Sequence, residues 1–346
     1  MLLALAPVLS SCEGVIYDDE GDCSVNYQVR FIDDMNLKFT DAFNEEVTSV
    51  TLYAFDDEGT LVWSGSDSGD AIHPSGGTYA MSINALQPGN YHLIAWAGLK
   101  DNNAFTVPDM VPGVSKMTDL TCTMQRTRDN EGESISSTNL DPVFFGSADI
   151  TIPETDDPGT HTFPVYLIKD TNGVNVVLQQ LDGEELDPDD YEFVIETDNA
   201  HINYDNSLIA GEEPFLYNPW EQASGSATIG SNESMTYSGG DEEYSAHTSV
   251  VAHLSISRLV QQTTWRAYTR PTLTVYKRSS GETILSVPII DYALLVRGYY
   301  PQITSTQEYL DRQDDYNMTF FLRHGRWMSS VIIINAWRIV LNNDNV

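Results

Sequence analysis

A hydrophobic period of two returns along the whole chain, while helical periodicity hardly appears, and this limits the fold more than any other feature. Val25, Tyr27, Val29 and Phe31 alternate with Asn26, Gln28 and Arg30, so one face of the segment meets a core and the other meets water. Val50 to Phe55 repeats the rhythm, turns at Asp56-Asp57-Glu58-Gly59 and returns as Thr60 to Trp63, a hairpin. Gly89-Asn90 leads into Tyr91 to Ala97, which is apolar on both faces, as a strand covered on both sides should be.

The second half resumes the pattern with Val174 to Leu181, Tyr191 to Glu196 and Val250 to Ile256. Hairpins are expected around Ser279 to Glu282 and around His324-Gly325-Arg326, the latter joining Thr319 to Leu322 with Val331 to Ile334. The closing run Ser329 to Leu341 is dense in β-branched and large apolar residues, an aggregation hazard if exposed. It is expected as one strand of the chain's own second sandwich.

Helical signals are short: a capping-box pattern at Ser305-Thr306-Gln307-Glu308, and a brief turn at Asp41 to Glu46. Many strands with turn clusters between them and little helix indicate an all-β chain of two tandem β-sandwich domains. The stretch GSADITIPETDDPGTHT, residues 146 to 162, is rich in turn formers and acid. It places the boundary between an N-terminal sandwich at 24–155 and a C-terminal one at 156–346.

Ahead of the strands stands MLLALAPVLSSCEG. Its apolar run is too short to cross a bilayer and suits the core of a secretory signal, although no Lys or Arg precedes Leu2. Leu9-Ser10-Ser11-Cys12 resembles the bacterial lipobox, in which cleavage falls just before a cysteine whose sulfur takes lipid. Residues 1–11 are therefore read as the signal peptide of a lipoprotein, Cys12 as the lipidation site, and 12–23 as an acidic tether. Cys23 and Cys122 then form an even pair, either bonded to each other in an oxidising compartment or separately buried as thiols.

Seventeen Lys and Arg stand against 51 Asp and Glu, a net charge of −34, which excludes a role built on nucleic-acid phosphates. Catalysis finds no constellation. His92 and His253 fall inside strand patterns and are expected as core histidines satisfied by backbone. Gly65-Ser66-Asp67-Ser68-Gly69 has Asp67 where a nucleophile elbow needs serine. Paired acids such as Asp189-Asp190 and Asp314-Asp315 match no calcium loop. No enzyme activity, catalytic residue, metal or cofactor is expected.

Several longer phrases are more specific: CEGVIYDDEGDCSVNYQVRF from Cys12, EVTSVTLYAFDDEGTLVW, VNVVLQQLDGEELDPDDYEFVIETDNAHINYDNSLI and MTFFLRHGRWMSSVIIINAWRIVLNN. In both halves and in order, they resemble the FimB-type fimbrial anchor lipoproteins of Bacteroidetes, over nearly the whole chain after Cys12. The resemblance implies two transthyretin-like β-sandwiches and a lipid anchor on Cys12 in the outer membrane, exposed at the cell surface. It also implies a place at the base of a fimbria, with shaft or accessory subunits as partners joined by strand addition, and a role in limiting fimbria length. The alternative is a surface lipoprotein that binds glycan or host protein through an aromatic loop, Phe215-Leu216-Tyr217-Asn218-Pro219-Trp220. For these aromatics, anchoring of the loop in the second core is the plainer expectation.

Overall fold

The computed structural model describes residues 24–75, 77–154, 157–182, 184–225 and 248–340. Where the sequence alternates, the chain is extended. In the first half run β1 (Val25–Ile32), the short helix α1 (Phe43–Glu46), β2 (Ser49–Phe55), β3 (Leu61–Ser68), β4 (Met81–Ser82) and β5 (Gly89–Ala97). Four short strands follow: β6 (Phe105–Thr106), β7 (Cys122–Met124), β8 (Thr127–Arg128) and β9 (Ser134–Ser136). β10 (Phe144–Ile152) and β11 (Gly159–Lys169) complete a seven-stranded sheet in the order β3-β2-β5-β10-β11-β1-β4. β2 and β3 make the expected hairpin, turned at Gly59 with φ +68°, a conformation that costs glycine little. β1 lies parallel to β11 over its whole length.

The second half contains β12 (Thr171–Gln180), β13 (Tyr191–Thr197), β14 (His201–Ile202), β15 (Phe215–Tyr217), β16 (Glu221–Gly225) and β17 (Thr248–Ser257). Then come β18 (Thr272–Lys277), β19 (Glu282–Pro288), α2 (Ile289–Leu294), α3 (Thr306–Arg312), β20 (Asp315–Arg323), β21 (Arg326–Ile334) and β22 (Trp337–Val340). Two six-stranded sheets result, β16-β17-β12-β20-β21-β22 and β19-β18-β13-β15-β9-β8. One contributes Val174, Val176, Leu178, Leu254 and Phe320 to a common core, the other Phe193, Ile195, Phe215, Leu273 and Val275. Each such side chain stabilises by about 1.5–3 kcal/mol on leaving water. The helix α3 starts where the sequence signals it: the Ser305 hydroxyl accepts from the Glu308 amide at 3.0 Å, and Glu308 reaches back to the amide of Thr304 at 2.9 Å.

The all-β reading holds, and three details differ from the sequence expectation. The boundary expected at 155/156 falls between β10 and β11, which pair with each other in one sheet. The chain changes sheets at Asp170 instead. Residues 146 to 162 looked like a linker because a half-exposed strand needs an apolar residue only at alternate positions, and here those are Ile150 and Ile152. Residues 105 to 136 belong with the second half: β7 pairs with β14, and β9 pairs with β15. The closing run is a hairpin, not one strand. It turns at Asn335 and Ala336, with φ +47° and +69°, the two-residue geometry that suits the twist of flanking strands. Its strands still belong to the chain's own second sheet, β21 pairing with β20 and β22 with β21.

β5 explains how the halves join. Leu93, Ala95 and Ala97 enter the core of the first half, whereas Ile94 and Trp96 enter the core of the second. Tyr53 and Phe55 of β2 and Phe145 of β10 do the same. Gly98, directly after β5, has φ +76°, and a Cβ there would sit 2.0 Å from the carbonyl oxygen of Pro142, so no other residue fits.

Beside this shared core lies a charged junction. Asp170, fully buried, accepts from Arg258 at 2.7 Å and from the Asn206 amide at 3.2 Å, and the other Arg258 nitrogen lies 2.9 Å from Asp311. Burial lifts Asp170 to about 6 even though Arg258 opposes it. Lys169 bridges Glu46 at 2.8 Å and Asp314 at 3.9 Å. Desolvation works against its charge, but Asp314 and Glu46 hold its pKa above the ordinary lysine value. Asp33 rises to about 7, through burial first and then repulsion from Glu46 and Asp314; Asp314 rises to about 6, again chiefly by burial.

These carboxylates bind protons more tightly in the folded chain than unfolded, so folding stability falls as pH rises from about 4 to about 7. Asp33→Asn should remove about 1–3 kcal/mol of the loss between pH 5 and pH 8, discounted for water in the adjoining cleft. Urea unfolding at the two pH values checks this; an unchanged pH dependence contradicts it.

Candidate functional site

Strand addition needs an open edge, and the topology leaves several. β3 and β4 flank the first sheet, β16 and β22 the second, β19 and β8 the third. β3 is shielded at its start by hydrogen bonds between Leu61 and the 111–115 loop. Its outer length carries Asp67, while β16 carries Glu221 and β19 carries Glu282, and charges of this kind blunt an edge. β22 reads Trp337-Arg338-Ile339-Val340, without acid. Its single charge is Arg338, and of the four longer edge strands it alone carries no carboxylate.

Between the two halves opens a cleft of about 890 Å³, bounded by Lys38, Asp41, Lys169, Tyr300, Arg312 and Asn335 among others. Arg312 closes one wall: it donates to the carbonyl oxygens of Asp34 at 2.9 Å and Asn36 at 3.3 Å, and lies over the Phe39 ring at 4.2 Å. The cleft holds charge but no nucleophile beside a base. Of its cations, Lys169 is engaged by Glu46 and Asp314 and Arg312 by Glu308.

Of the residues singled out in the sequence, Cys12 and Cys23 lie outside the described residues. Cys122 lies in β7, wholly buried and unbonded to any described cysteine; as a thiol, burial would push its pKa far above the ordinary range and keep it chemically quiet. In the aromatic loop, Phe215 and Tyr217 are fully buried, with the Tyr217 hydroxyl 2.8 Å from Asn199 Oδ1. Only Trp220 faces solvent, at 39% exposure. His92 and His253 are not backbone-satisfied core residues. They face outward, His92 2.6 Å from Asp149 and His253 2.5 Å from Asn175.

Gly65 to Ser68 are part of β3, and Asp67 accepts from the Tyr79 hydroxyl at 2.8 Å. Asp314 belongs to the junction, and Asp189-Asp190 to a short turn capped by Asp187. The sequence reading missed one grouping: Asp182, Glu184 and His324 bring ligand atoms within 4.8 Å of one another. Only the β20–β21 hairpin makes them neighbours, and two of the three are exposed.

Comparison with known proteins gives this arrangement a context. The family model for fimbrillin-A associated anchor proteins Mfa1 and Mfa2 matches residues 19–343. A Bacteroides thetaiotaomicron structure named for polysaccharide binding is similar at 26% identity and TM-score 0.74, over 93% of this chain and 100% of that one. A second structure from that species, named as an adhesin, is 30% identical with TM-score 0.74, over 91% and 97% of the two chains. The fimbrial anchor protein Mfa2 from Porphyromonas gingivalis shares the fold at 16% identity and TM-score 0.63, over 92% and 99%. No curated protein matches. With a family match that runs through both sandwich units, the chain belongs to the fimbrillin-A associated anchor proteins.

Proposed function

We propose that this protein is an outer-membrane lipoprotein, exposed at the cell surface, that holds a fimbria at its base through lipid on Cys12 and strand-addition contacts with fimbrial subunits. The observation that carries the reading is the family match over residues 19–343, which takes in both halves. Two physical arguments support it. A protein that resists pulling benefits from a stiff body between its two attachments, and a core shared between the halves supplies one. Main-chain hydrogen bonds along an open edge give an added strand its affinity, with side-chain pockets giving specificity, and the edge strand β22, which carries no carboxylate, is the site we assign to it. A cap that accepts a subunit and offers no onward donor would also limit fimbria length.

Lipid on one cysteine must hold the assembly, and a single acyl chain binds only marginally, so more than one chain is expected on Cys12. Cys12→Ser should release the protein from the membrane fraction and shed fibres into the medium, with fimbrial subunits still co-purifying with the released protein. Mass spectrometry of the mature N-terminus is the direct check: an unmodified Cys12, or a mature end elsewhere, contradicts the lipid anchor. Absence of fimbrial subunits from native pull-downs contradicts the anchoring role separately.

A bond between Cys23 and Cys122 is a further proposal. Thiol titration of the unreduced protein in denaturant decides it: no titratable Cys23 or Cys122 is the result expected of a disulfide. Two free thiols refute the bond and leave Cys122 as an isolated core cysteine, which its apolar surroundings suit equally.

A further inference from the structure

The outer face of the sheet β16-β17-β12-β20 carries a hydrogen-bonded polar row beside a part-exposed tryptophan. Strand register sets Glu221, His253, Asn175 and Asn317 side by side in one row across four strands. Their neighbours Val174, Val176, Leu254 and Met318 point into the core, so by alternation the row points outward. At its end Trp220 stacks on His253, with ring centroids 5.5 Å apart and planes inclined by 29°. His253 packs against one face of the indole, and Trp220 as a whole remains 39% exposed.

The polar groups are linked to one another but not used up. His253 Nδ1 lies 2.5 Å from Asn175 Oδ1, and Asn175 Nδ2 donates to Asn317 Oδ1 at 2.9 Å. This leaves one N–H of Asn175 and both of Asn317 without a partner among the described residues, and it leaves His253 Nε2 as an acceptor. Reversing the amides reverses the direction of the chain and still turns donors and acceptors outward. A row that is held in place, two-signed in hydrogen bonding and flanked by a part-exposed indole suits one ligand chemistry. A sugar ring offers a C–H face to an indole and hydroxyls, each both donor and acceptor, at its rim.

We infer that this face binds a neutral oligosaccharide, with Trp220 as the stacking platform and His253, Asn175 and Asn317 as the hydroxyl-binding row. Neutrality follows from charge: Glu221 sits in the row opposite His253, and the chain carries a net charge of −34, which repels anionic ligands. Length follows from spacing. Three interstrand steps span about 14 Å, more than a single ring covers, and beyond Asn317 the surface continues into the 890 Å³ cleft that Asn317, Asn335 and Tyr300 help to line. This assignment is independent of the anchoring reading, because it concerns a sheet face and not an edge or the lipid.

The test is calorimetric titration of the full chain with neutral oligomers of glucose, mannose, galactose and xylose, one to six units long, alongside uronic-acid oligomers of the same lengths. At least one neutral series should bind, tighten at least tenfold between one unit and four, and outcompete the uronic acids. Trp220→Ala should lower its affinity at least tenfold, and Asn317→Ala should also weaken it with an unchanged unfolding midpoint, since Asn317 is exposed. Failure of every neutral series to bind at millimolar concentration overturns the inference. So does affinity indifferent to both substitutions, equal affinity for uronic acids, or affinity independent of chain length.

Discussion

The structure depends on one strand, β5, being buried on both faces. β5 turns Leu93, Ala95 and Ala97 one way and Ile94 and Trp96 the other, and all five are fully buried. A strand of this kind cannot be the outside of a free-standing sandwich, because its second apolar face would lie in water. The excursion from Phe105 to Met124 and the second half together supply the cover, with Phe105, Leu120, Cys122 and Met124 packed in the same cluster as Val174 and Phe193. Tandem domains joined by a linker would move independently by default. Here they share an interior, and the only residue between β11 and β12 is the wholly buried Asp170.

The charge distribution follows from that constraint. With 17 basic residues against 51 acidic ones, cations are scarce. Lys169, Arg258 and Arg312 are nevertheless all placed at the junction, where carboxylates are taken out of water. A buried acid left without a partner costs several kcal/mol, so these three act where they matter most. Asp33 has no cation within hydrogen-bonding distance among the described residues, and burial first, then repulsion from Glu46 and Asp314, raises its proton affinity furthest of the junction carboxylates.

Strand existence was largely legible in the sequence, because alternation survives wherever one face of a strand is wet, as in Val25 to Phe31 and Val174 to Leu178. Even the double burial of Tyr91 to Ala97 showed as a continuous apolar run, although what covered it did not. Pairing was not legible. Whether residues 146 to 162 form a linker or two strands depends on partners far away in sequence, β1 and β5, and no local pattern encodes them. The turn at Asn335-Ala336 was hidden because alanine rarely takes a positive φ, so the run read as unbroken. Of the site, Trp220 was noticed as part of an aromatic loop, but Asn175, His253 and Asn317 are 142 residues apart at the extreme in hydrogen-bonded contact and only register unites them.

On the proposed anchoring role, force between the lipid and the fibre passes through the interior of the chain. The two sandwiches would carry it as one body, because they share a core through β5. Differential scanning calorimetry of the full chain measures that directly. A single transition whose calorimetric and van't Hoff enthalpies agree is the predicted result; two separated transitions, one for each half, would contradict it.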